Sequence, residues 1–317
     1  MISRALYLTC IALLAVASAS AQDFKSVPKV DGEAAKHRQA LRPLADLSHL
    51  QCHQVFAAAS NDGLVFRASP KPLLDKATAP EAIADGAGIR LYYVSGIAGK
   101  HGIWTARAEL QGDGWRVATA EPVLINGAHN GDIVQPDVIR LPDGKLRLYT
   151  YQGFFVTRQP KQIPGMVERP HRILTALSDD GVNFRDEGRS IQLDAAEHPT
   201  VVQIANGRFL LAATQPKTQR ILIGTSSEGS RFVLNGTAIL GGAGDLIALA
   251  DDTIRLYYEA PGGIASRLSH NGGARWENEP ELRLSSATPI VEPSVVRLFS
   301  GAWWMFYRQV RPDCAKP

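Results

Sequence analysis

The sequence predicts an all-β protein in which five four-stranded sheets form a ring, a five-bladed β-propeller. Three observations lead to this prediction: a hairpin pattern that occurs five times, a serine-containing turn that recurs between the hairpins, and repeats that begin and end part-way through one unit. Internal repeats of this kind are typical of propellers and solenoids. The composition agrees, because 45% hydrophobic residues suit a sizeable core and 28 glycines with 19 prolines suit many turns.

Each hairpin repeat contains a short apolar strand, a Gly or Asp turn and a second strand that is usually rich in aromatic residues. Such a turn between β-branched or aromatic runs is the sequence signal of a β-hairpin. A proline precedes four of the five repeats, at the start of a strand, where sheets tolerate proline. The five segments are Glu81–Val94, Asp137–Tyr151, Thr200–Thr214, Asp245–Glu259 and Ser294–Arg308.

A third strand that ends in a serine turn recurs along the chain. Four copies contain a serine, one or more polar residues and a glycine, followed by Phe or Trp, and a fifth copy is degenerate. The hydroxyl, the polar residue and the glycine are what a tight turn capped by a side chain requires. The copies lie at residues 55–66, 173–184, 221–232 and 264–276, with the degenerate one at 103–116.

The order of the repeats predicts how the ring closes. The chain opens with the third and fourth strands of a blade, continues through four complete blades and stops after the first two strands of a fifth. Every strand is used only if the N-terminal strands complete the C-terminal blade. Cys52 and Cys314 lie on either side of this seam, so we predict a disulfide between them.

The first residues have the pattern of a secretory signal. Arg4 supplies a positive charge, residues 6–16 are apolar, and Ala19, Ser20 and Ala21 form a small-residue cleavage site. We therefore expect a secreted or periplasmic protein. The expected organisation is a signal peptide, an N-terminal strap and the propeller, at residues 1–21, 22–50 and 51–317.

Charge and hydropathy exclude other classes of protein. The 34 Lys and Arg residues nearly balance the 31 Asp and Glu residues, and no dense basic run occurs. A nucleic-acid-binding protein normally has a basic patch, so we expect no nucleic-acid partner. No stretch approaches the roughly 20 apolar residues of a transmembrane helix, so we expect no membrane partner. The oligomeric state stays open.

The polar residues at the start of the inner strands are expected to converge on the axis of the ring. We predict that Asp137 and Glu292 form a catalytic pair, with Asp245 as a third catalytic candidate. Paired carboxylates can protonate a glycosidic oxygen and activate water, and crowding raises one carboxyl pKa, as a general acid needs. The expected substrate contacts on these strands are Glu81, Gln135, Glu197 and His198.

Two connections of variable sequence are expected to line the same face of the channel. Variable loops on a repetitive scaffold often carry function. His129 and Asp132 are predicted to bind sugar hydroxyls, and Phe154 to stack on a sugar ring. Arg158 and Arg169, in the same long loop as Phe154, are further expected substrate contacts. The alternatives are a solvated loop for the first pair and an anchoring role for the phenylalanine.

Over residues 50–311 the chain resembles the five-bladed propeller glycoside hydrolases, the arabinanase, xylosidase and invertase-like group, and its serine turns resemble the Asp-box of sialidases. The resemblance implies a carbohydrate-active protein with its site in the central funnel, and in some relatives a channel metal such as calcium. Those enzymes place an acidic residue before an inner-strand proline, and here only Glu292-Pro293 fits. Two functions therefore stay open: an inverting glycoside hydrolase, or a non-catalytic propeller that binds a glycan or a protein.

Overall fold

The computed structural model describes residues 47–112, 114–131, 133–152, 171–193, 196–216, 218–249 and 252–314. The expected signal peptide and almost all of the expected strap lie outside the described residues. The described chain contains β-strands and short 3-10 turns at Leu47–Cys52 and Pro312–Cys314. None of its helical turns is long and apolar enough to cross a membrane.

The strands are numbered along the chain and grouped into blades. The N-terminal strands are β1 (His53–Ser60), β2 (Arg67–Ala68) and β3 (Leu74–Asp75). Blade 1 contains β4 (Ala77–Asp85), β5 (Gly88–Ser95), β6 (Ile103–Gln111), β7 (Gly114–Val117) and β8 (Glu121–Pro122). Blade 2 contains β9 (Leu124–Ile125), β10 (Ile133–Arg140), β11 (Leu146–Gln152), β12 (His171–Ser178) and β13 (Asn183–Leu193).

The remaining strands complete the other three blades. Blade 3 contains β14 (Glu197–Gln203), β15 (Phe209–Gln215), β16 (Arg220–Ser226) and β17 (Val233–Leu240). Blade 4 contains β18 (Gly244–Ala248), β19 (Ile254–Ala260), β20 (Gly263–Ser269), β21 (Glu277–Asn278) and β22 (Leu284–Ser285). Blade 5 combines β23 (Ile290–Arg297) and β24 (Trp303–Val310) with the N-terminal strands.

The blades form a closed ring around one axis. In each blade the innermost strand starts an antiparallel series, and these inner strands are β4, β10, β14, β18 and β23. In blade 2 the short strand β9 adds a parallel pairing at the outer edge, beside β13. Each inner strand contacts the inner strand of the next blade, and β23 contacts β4. Clusters of buried apolar side chains fill the five interfaces between neighbouring blades. The predicted five-bladed propeller is therefore confirmed.

The N-terminal strand completes the last blade, as predicted. Strand β1 pairs with β24 along its whole length, from His53 opposite Val310 to Ser60 opposite Trp303. Beside this seam a disulfide joins Cys52 to Cys314, with 5.8 Å between the Cα atoms, across 262 residues of sequence. The disulfide therefore links the two ends of the ring covalently.

Three of the serine turns hold a blade against the preceding one. In blade 2, Ser178 Oγ accepts a hydrogen bond from Gly181 N at 2.8 Å and donates one to Asp180 at 3.0 Å. Gly181 has a φ of 78°, a conformation that favours glycine, and its carbonyl accepts a hydrogen bond from Tyr92 of blade 1 at 3.0 Å. Two further tyrosines of second strands make the same bond to the next blade: Tyr149 to Gly229 at 2.6 Å and Tyr257 to Gly63 at 2.8 Å.

Candidate functional site

Four inner strands contain a bulge at the proline near their start. The pairing register shifts there in β4, β10, β14 and β23. A bulge redirects side chains and often lies beside a functional site. The residue before each proline has a left-handed backbone: φ is 49° at Ala79, 56° at Gln135, 49° at His198 and 54° at Glu292. Such strain in residues other than glycine is concentrated at functional sites.

The strand starts surround a cavity on the axis of the ring. It has a volume of about 30 Å³, which is room for about two water molecules. The strand starts form two levels, and all of these residues except Ser294 of the lower level line the cavity. The upper level contains the residues before the prolines, and the lower level contains the residues after them; in blade 4, Ala243 and Asp245 take these places on either side of Gly244.

The lower level joins neighbouring blades by hydrogen bonds. Four of its side chains accept a bond from a backbone N–H of the next inner strand: Asp137 from Val201, Thr200 from Leu246, Asp245 from Val295 and Ser294 from Ala82. The donor–acceptor distances in these four bonds are 3.0, 3.0, 2.6 and 3.0 Å. Thr200 and Ser294 do this with a neutral hydroxyl, so joining the blades requires no charge.

Three carboxylates of the lower level share one small volume. Glu81, Asp137 and Asp245 are buried, and one oxygen of each lies within 4.8 Å of the other two. Burial, and then repulsion between the carboxylates, raises the pKa of Glu81 and of Asp137 well above the usual range. Burial raises the pKa of Asp245 to about 7. The cluster therefore retains protons under conditions in which free carboxyl groups lose them.

The same cluster is where the channel could hold a metal. Carboxylate oxygens are the ligands that Ca²⁺ prefers, and the three residues can each offer one within 4.8 Å of the others. A divalent cation there would relieve the repulsion that raises the carboxyl pKa values and would leave the three carboxylates ionised, so metal binding and a protonated Asp137 exclude each other. The donor chemistry of Glu81, Asp137 and Asp245 thus fits the calcium that the family resemblance implies.

Glu292 of the upper level has the opposite electrostatic environment. Its Oε2 accepts hydrogen bonds from Thr78 Oγ1 and Ala79 N, both at 2.8 Å, and from Arg308 Nε at 3.0 Å. Burial acts to raise the pKa of Glu292. The charge of Arg308 and these hydrogen bonds outweigh burial and lower the pKa to about 2. Glu292 is therefore an ionised carboxylate.

Gln135 and His198 form a hydrogen-bonded pair on the upper level. His198 N donates to Gln135 Oε1 at 2.8 Å, which fixes the orientation of the amide. Gln135 Nε2 then donates to His198 Nε2, 3.0 Å away. Because this imidazole nitrogen accepts, the network assigns the proton of the neutral ring to Nδ1. Glu259 completes the level from β19, where its Oε1 accepts a bond from Glu292 N at 2.8 Å.

Other predicted site residues lie away from the cavity lining. His129 joins two loops: its ring nitrogens contact the carbonyl oxygens of Val123 at 3.1 Å and His101 at 2.8 Å. Its ring packs edge-on against Trp104, with 5.7 Å between the centroids. Glu197 is half-buried at the start of β14. Asp132, Phe154, Arg158 and Arg169 lie outside the described residues.

The structure thus brings six of the predicted residues together and adds others. Glu81, Gln135, Asp137, His198, Asp245 and Glu292 all line the cavity. Arg308, Thr78 and Glu259 contact this group but carry no sequence signal of their own. Arg308 lies opposite Val291 in the pairing of β24 with β23, so its approach to Glu292 depends on strand register and on the bulge.

Comparison with known proteins gives a likeness of fold. No protein-family model and no curated protein matches the sequence. Solved structures do match. The GH43 protein BlXynB from Bacillus licheniformis superposes with a TM-score of 0.52 at 14% identity, covering 73% of this chain and 48% of that one. This chain therefore spans about half the length of BlXynB.

Two other solved structures are similar over most of their own length. CoXyl43, a GH43 β-xylosidase/α-arabinofuranosidase from a compost microbial metagenome, was solved with xylotriose in a calcium-free form; it has a TM-score of 0.51 at 14% identity, covering 73% of this chain and 84% of that one. A protein of unknown function from Dyadobacter fermentans has a TM-score of 0.53 at 13% identity, covering 81% and 84%. These likenesses show a shared fold, which in this chain is the five-bladed propeller.

Proposed function

We propose that this protein is a glycoside hydrolase that acts on a glycan at the mouth of the channel. The observation that carries the proposal is that one cavity contains carboxylates whose pKa values are moved in opposite directions. The pKa of Glu292 falls to about 2, whereas that of Asp137 rises well above its usual range. When the surroundings of two neighbouring titratable groups shift their pKa values in opposite directions, one group can act as the acid and the other as the base. The likeness in fold to GH43 enzymes supports the same class of reaction.

In this proposal Asp137 is the acid and Glu292 is the base. The proton on Asp137 goes to the glycosidic oxygen as the bond to the anomeric carbon breaks, and the Glu292 carboxylate takes a proton from the water that attacks that carbon. In inverting enzymes the two carboxyl groups are roughly 6.5–9.5 Å apart. The oxygens of Glu81, Asp137 and Asp245 lie within 4.8 Å of one another, so we assign the base to the upper level and not to this cluster.

The size of the cavity determines where the sugar would lie. A volume of about 30 Å³ holds water but no sugar ring, so the ring rests above the upper level. The pair Gln135 and His198 then faces the substrate hydroxyls, and His198 Nδ1–H is the donor available to them. The proton of Asp137, which lies deeper, reaches the glycosidic oxygen through a water in the cavity.

The proposal includes an exported location. Disulfides persist in oxidising compartments outside the cytosol, and one joins Cys52 to Cys314 here. Together with the signal-like residues 1–21, this supports a secreted or periplasmic enzyme.

A second function, non-catalytic glycan binding, is favoured by a different observation. Oε2 of Glu292 already accepts three hydrogen bonds, from Thr78, Ala79 and Arg308. A carboxylate held this firmly is a good anchor for a blade and a poor acceptor for a further proton. In this alternative the upper level binds a sugar without breaking a bond.

Hydrolysis of a panel of aryl glycosides distinguishes the two functions. We expect wild-type protein to release the aryl group from at least one member, and Asp137→Asn and Glu292→Gln each to slow turnover at least about 100-fold. Asp143→Asn, which changes an exposed carboxylate of a turn, is the matched control and should keep full activity. Saturable binding of a glycan with no turnover would select the second function and overturn the first.

A further inference from the structure

A buried arginine recurs in the second strands of three blades. It lies two residues before the tyrosine that bonds to the next blade, as Arg90, Arg147 and Arg255. In blade 2, Arg147 Nη2 donates to Glu187 Oε1 at 3.0 Å, and its Nε lies 3.0 Å from Oε2. In blade 4, Arg255 pairs with both oxygens of Glu279, at 2.8 and 2.9 Å. Each guanidinium is therefore matched by a glutamate of its own blade.

Blade 1 has the arginine without the glutamate. The side chain of Arg90 is only 8% exposed, yet its one charged contact among the described residues is Asp85, with 3.6 Å between Nε and Oδ2. It forms no hydrogen bond with any other described residue. Glu121 lies opposite Thr105 in the pairing of β6 with β8, but it is exposed and forms no ion pair within the described chain. The guanidinium of Arg90 is therefore nearly buried, but its N–H groups have no glutamate partner of the kind that Arg147 and Arg255 have.

Two more arginines contact the same aspartate. Arg107 Nε lies 3.2 Å from Asp85 Oδ2, and Arg140 Nη2 lies 3.8 Å from Oδ1. Arg107 and Arg140 are 69% and 44% exposed, so their guanidinium groups are open to solvent. Three positive charges around one carboxylate leave an excess of two. Arg90 and Arg107 are moreover direct neighbours across β5 and β6, where like charges repel.

We propose that Arg90, Arg107 and Arg140 form a binding site for the carboxylate of a small ligand. Asp85 and Arg140 end the inner strands β4 and β10, so the site lies on the face opposite the channel mouth and is independent of the proposed hydrolase site. The ligand carboxylate takes the role that Glu187 and Glu279 have in the sister blades. Arginine suits this role because its planar group binds a carboxylate through two parallel hydrogen bonds.

The test is an NMR titration of ¹⁵N-labelled protein that follows the arginine Nε–Hε signals at constant ionic strength. The probes are sodium D-glucuronate, sodium acetate and D-glucose. We expect both carboxylates to shift the signals saturably and glucose to leave them unchanged. A higher affinity for glucuronate than for acetate would assign an acidic sugar as the ligand. Equal affinities for the two would assign a simple carboxylate. Absence of binding by both acids, or equal shifts with glucose, would overturn the proposal.

Variants make the test specific to these side chains. Arg107→Gln should weaken carboxylate binding about 10-fold, since one charge-assisted hydrogen bond is lost. Arg231→Gln is the control, because Arg231 is 82% exposed and has one carboxylate near it among the described residues, that of Glu228 at 3.9 Å. Ala118→Glu places a carboxylate beside Arg107, whose carbonyl accepts a bond from Ala118 N at 2.8 Å, and should abolish binding of added acid. Unchanged affinity in both Arg107→Gln and Ala118→Glu would refute the site.

Discussion

Replacing Asp245 by asparagine should make the protein less sensitive to rising pH. The folded-state pKa of this carboxyl is about 7, against an ordinary value of 3.8. Because the folded pKa is the higher one, the contribution of Asp245 to stability is fully present below pH 3.8 and is lost as the pH rises through about 7. The loss occurs as the unfolded chain releases a proton that the folded protein retains.

The magnitude follows from the size of the shift. A difference of about three pKa units, at about 1.4 kcal/mol each, corresponds to about 4 kcal/mol of stability lost between pH 4 and pH 8. Glu81 and Asp137 act in the same direction, and Asp245 contributes to raising the pKa of both. The asparagine side chain would keep a carbonyl oxygen to accept the bond from Val295 N, so the hydrogen bonds between blades can persist while one charge is removed.

The assay is urea unfolding followed by circular dichroism at several pH values from 4 to 8. We expect the free energy of unfolding of wild-type protein to fall across this range, and that of Asp245→Asn to fall by about 4 kcal/mol less, with Glu81 and Asp137 accounting for the fall that remains. Asp143→Asn, the exposed control, should follow the wild-type curve. An equal fall in wild type and Asp245→Asn would refute the assignment of a raised pKa to this site.

Three further outcomes follow from other contacts. Tyr149→Phe should lower the free energy of unfolding by about 1–3 kcal/mol in a urea titration, because the carbonyl of Gly229 in the next blade loses its hydrogen-bond donor. Tyr93→Phe is the control and should lower it less, because Tyr93 is not one of the three tyrosines that bond to the next blade. Equal losses in the two variants would contradict the role of the inter-blade bond. Reducing the disulfide should remove about 6 kcal/mol in the chain-entropy model, because it closes a loop of 262 residues; an unchanged melting temperature in reductant would count against this. Arg308→Met should raise the pKa of Glu292, since Arg308 is the leading charge that lowers it; if carboxyl NMR shows the same titration as in wild type, Arg308 does not control this group.

Much of the architecture could be predicted because propeller repeats leave a periodic record. Each hairpin needs its own turn and apolar strands, so five copies are visible without any contact information. The closure of the ring followed from the order of the repeats, and the Cys52–Cys314 bond followed from that closure. The pattern also placed Asp137, Asp245 and Glu292 at inner-strand starts, where all three line the cavity.

The electrostatic roles within the cavity could not be predicted, because they depend on contacts between distant segments. Thr78 bonds to Glu292 across 214 residues of sequence, and Arg308 reaches the same carboxylate from another strand. Thr200 and Ser294 occupy the same structural level as the three lower carboxylates, but a hydroxyl carries no sequence signal of a joint between blades. The contacts of Glu292 keep it ionised, whereas burial raises the pKa values of the three lower carboxyl groups.

The most direct test of the proposed acid and base is the pH dependence of aryl glycoside hydrolysis by wild-type protein and Asp137→Asn. We expect wild-type turnover to be sustained above the Glu292 pKa of about 2 and to decline at higher pH as Asp137 loses its proton. In Asp137→Asn this decline should disappear along with most of the activity. Full activity in Asp137→Asn with an unchanged pH profile would contradict the role of Asp137, and absence of turnover of every glycoside by wild-type protein would contradict the hydrolase itself.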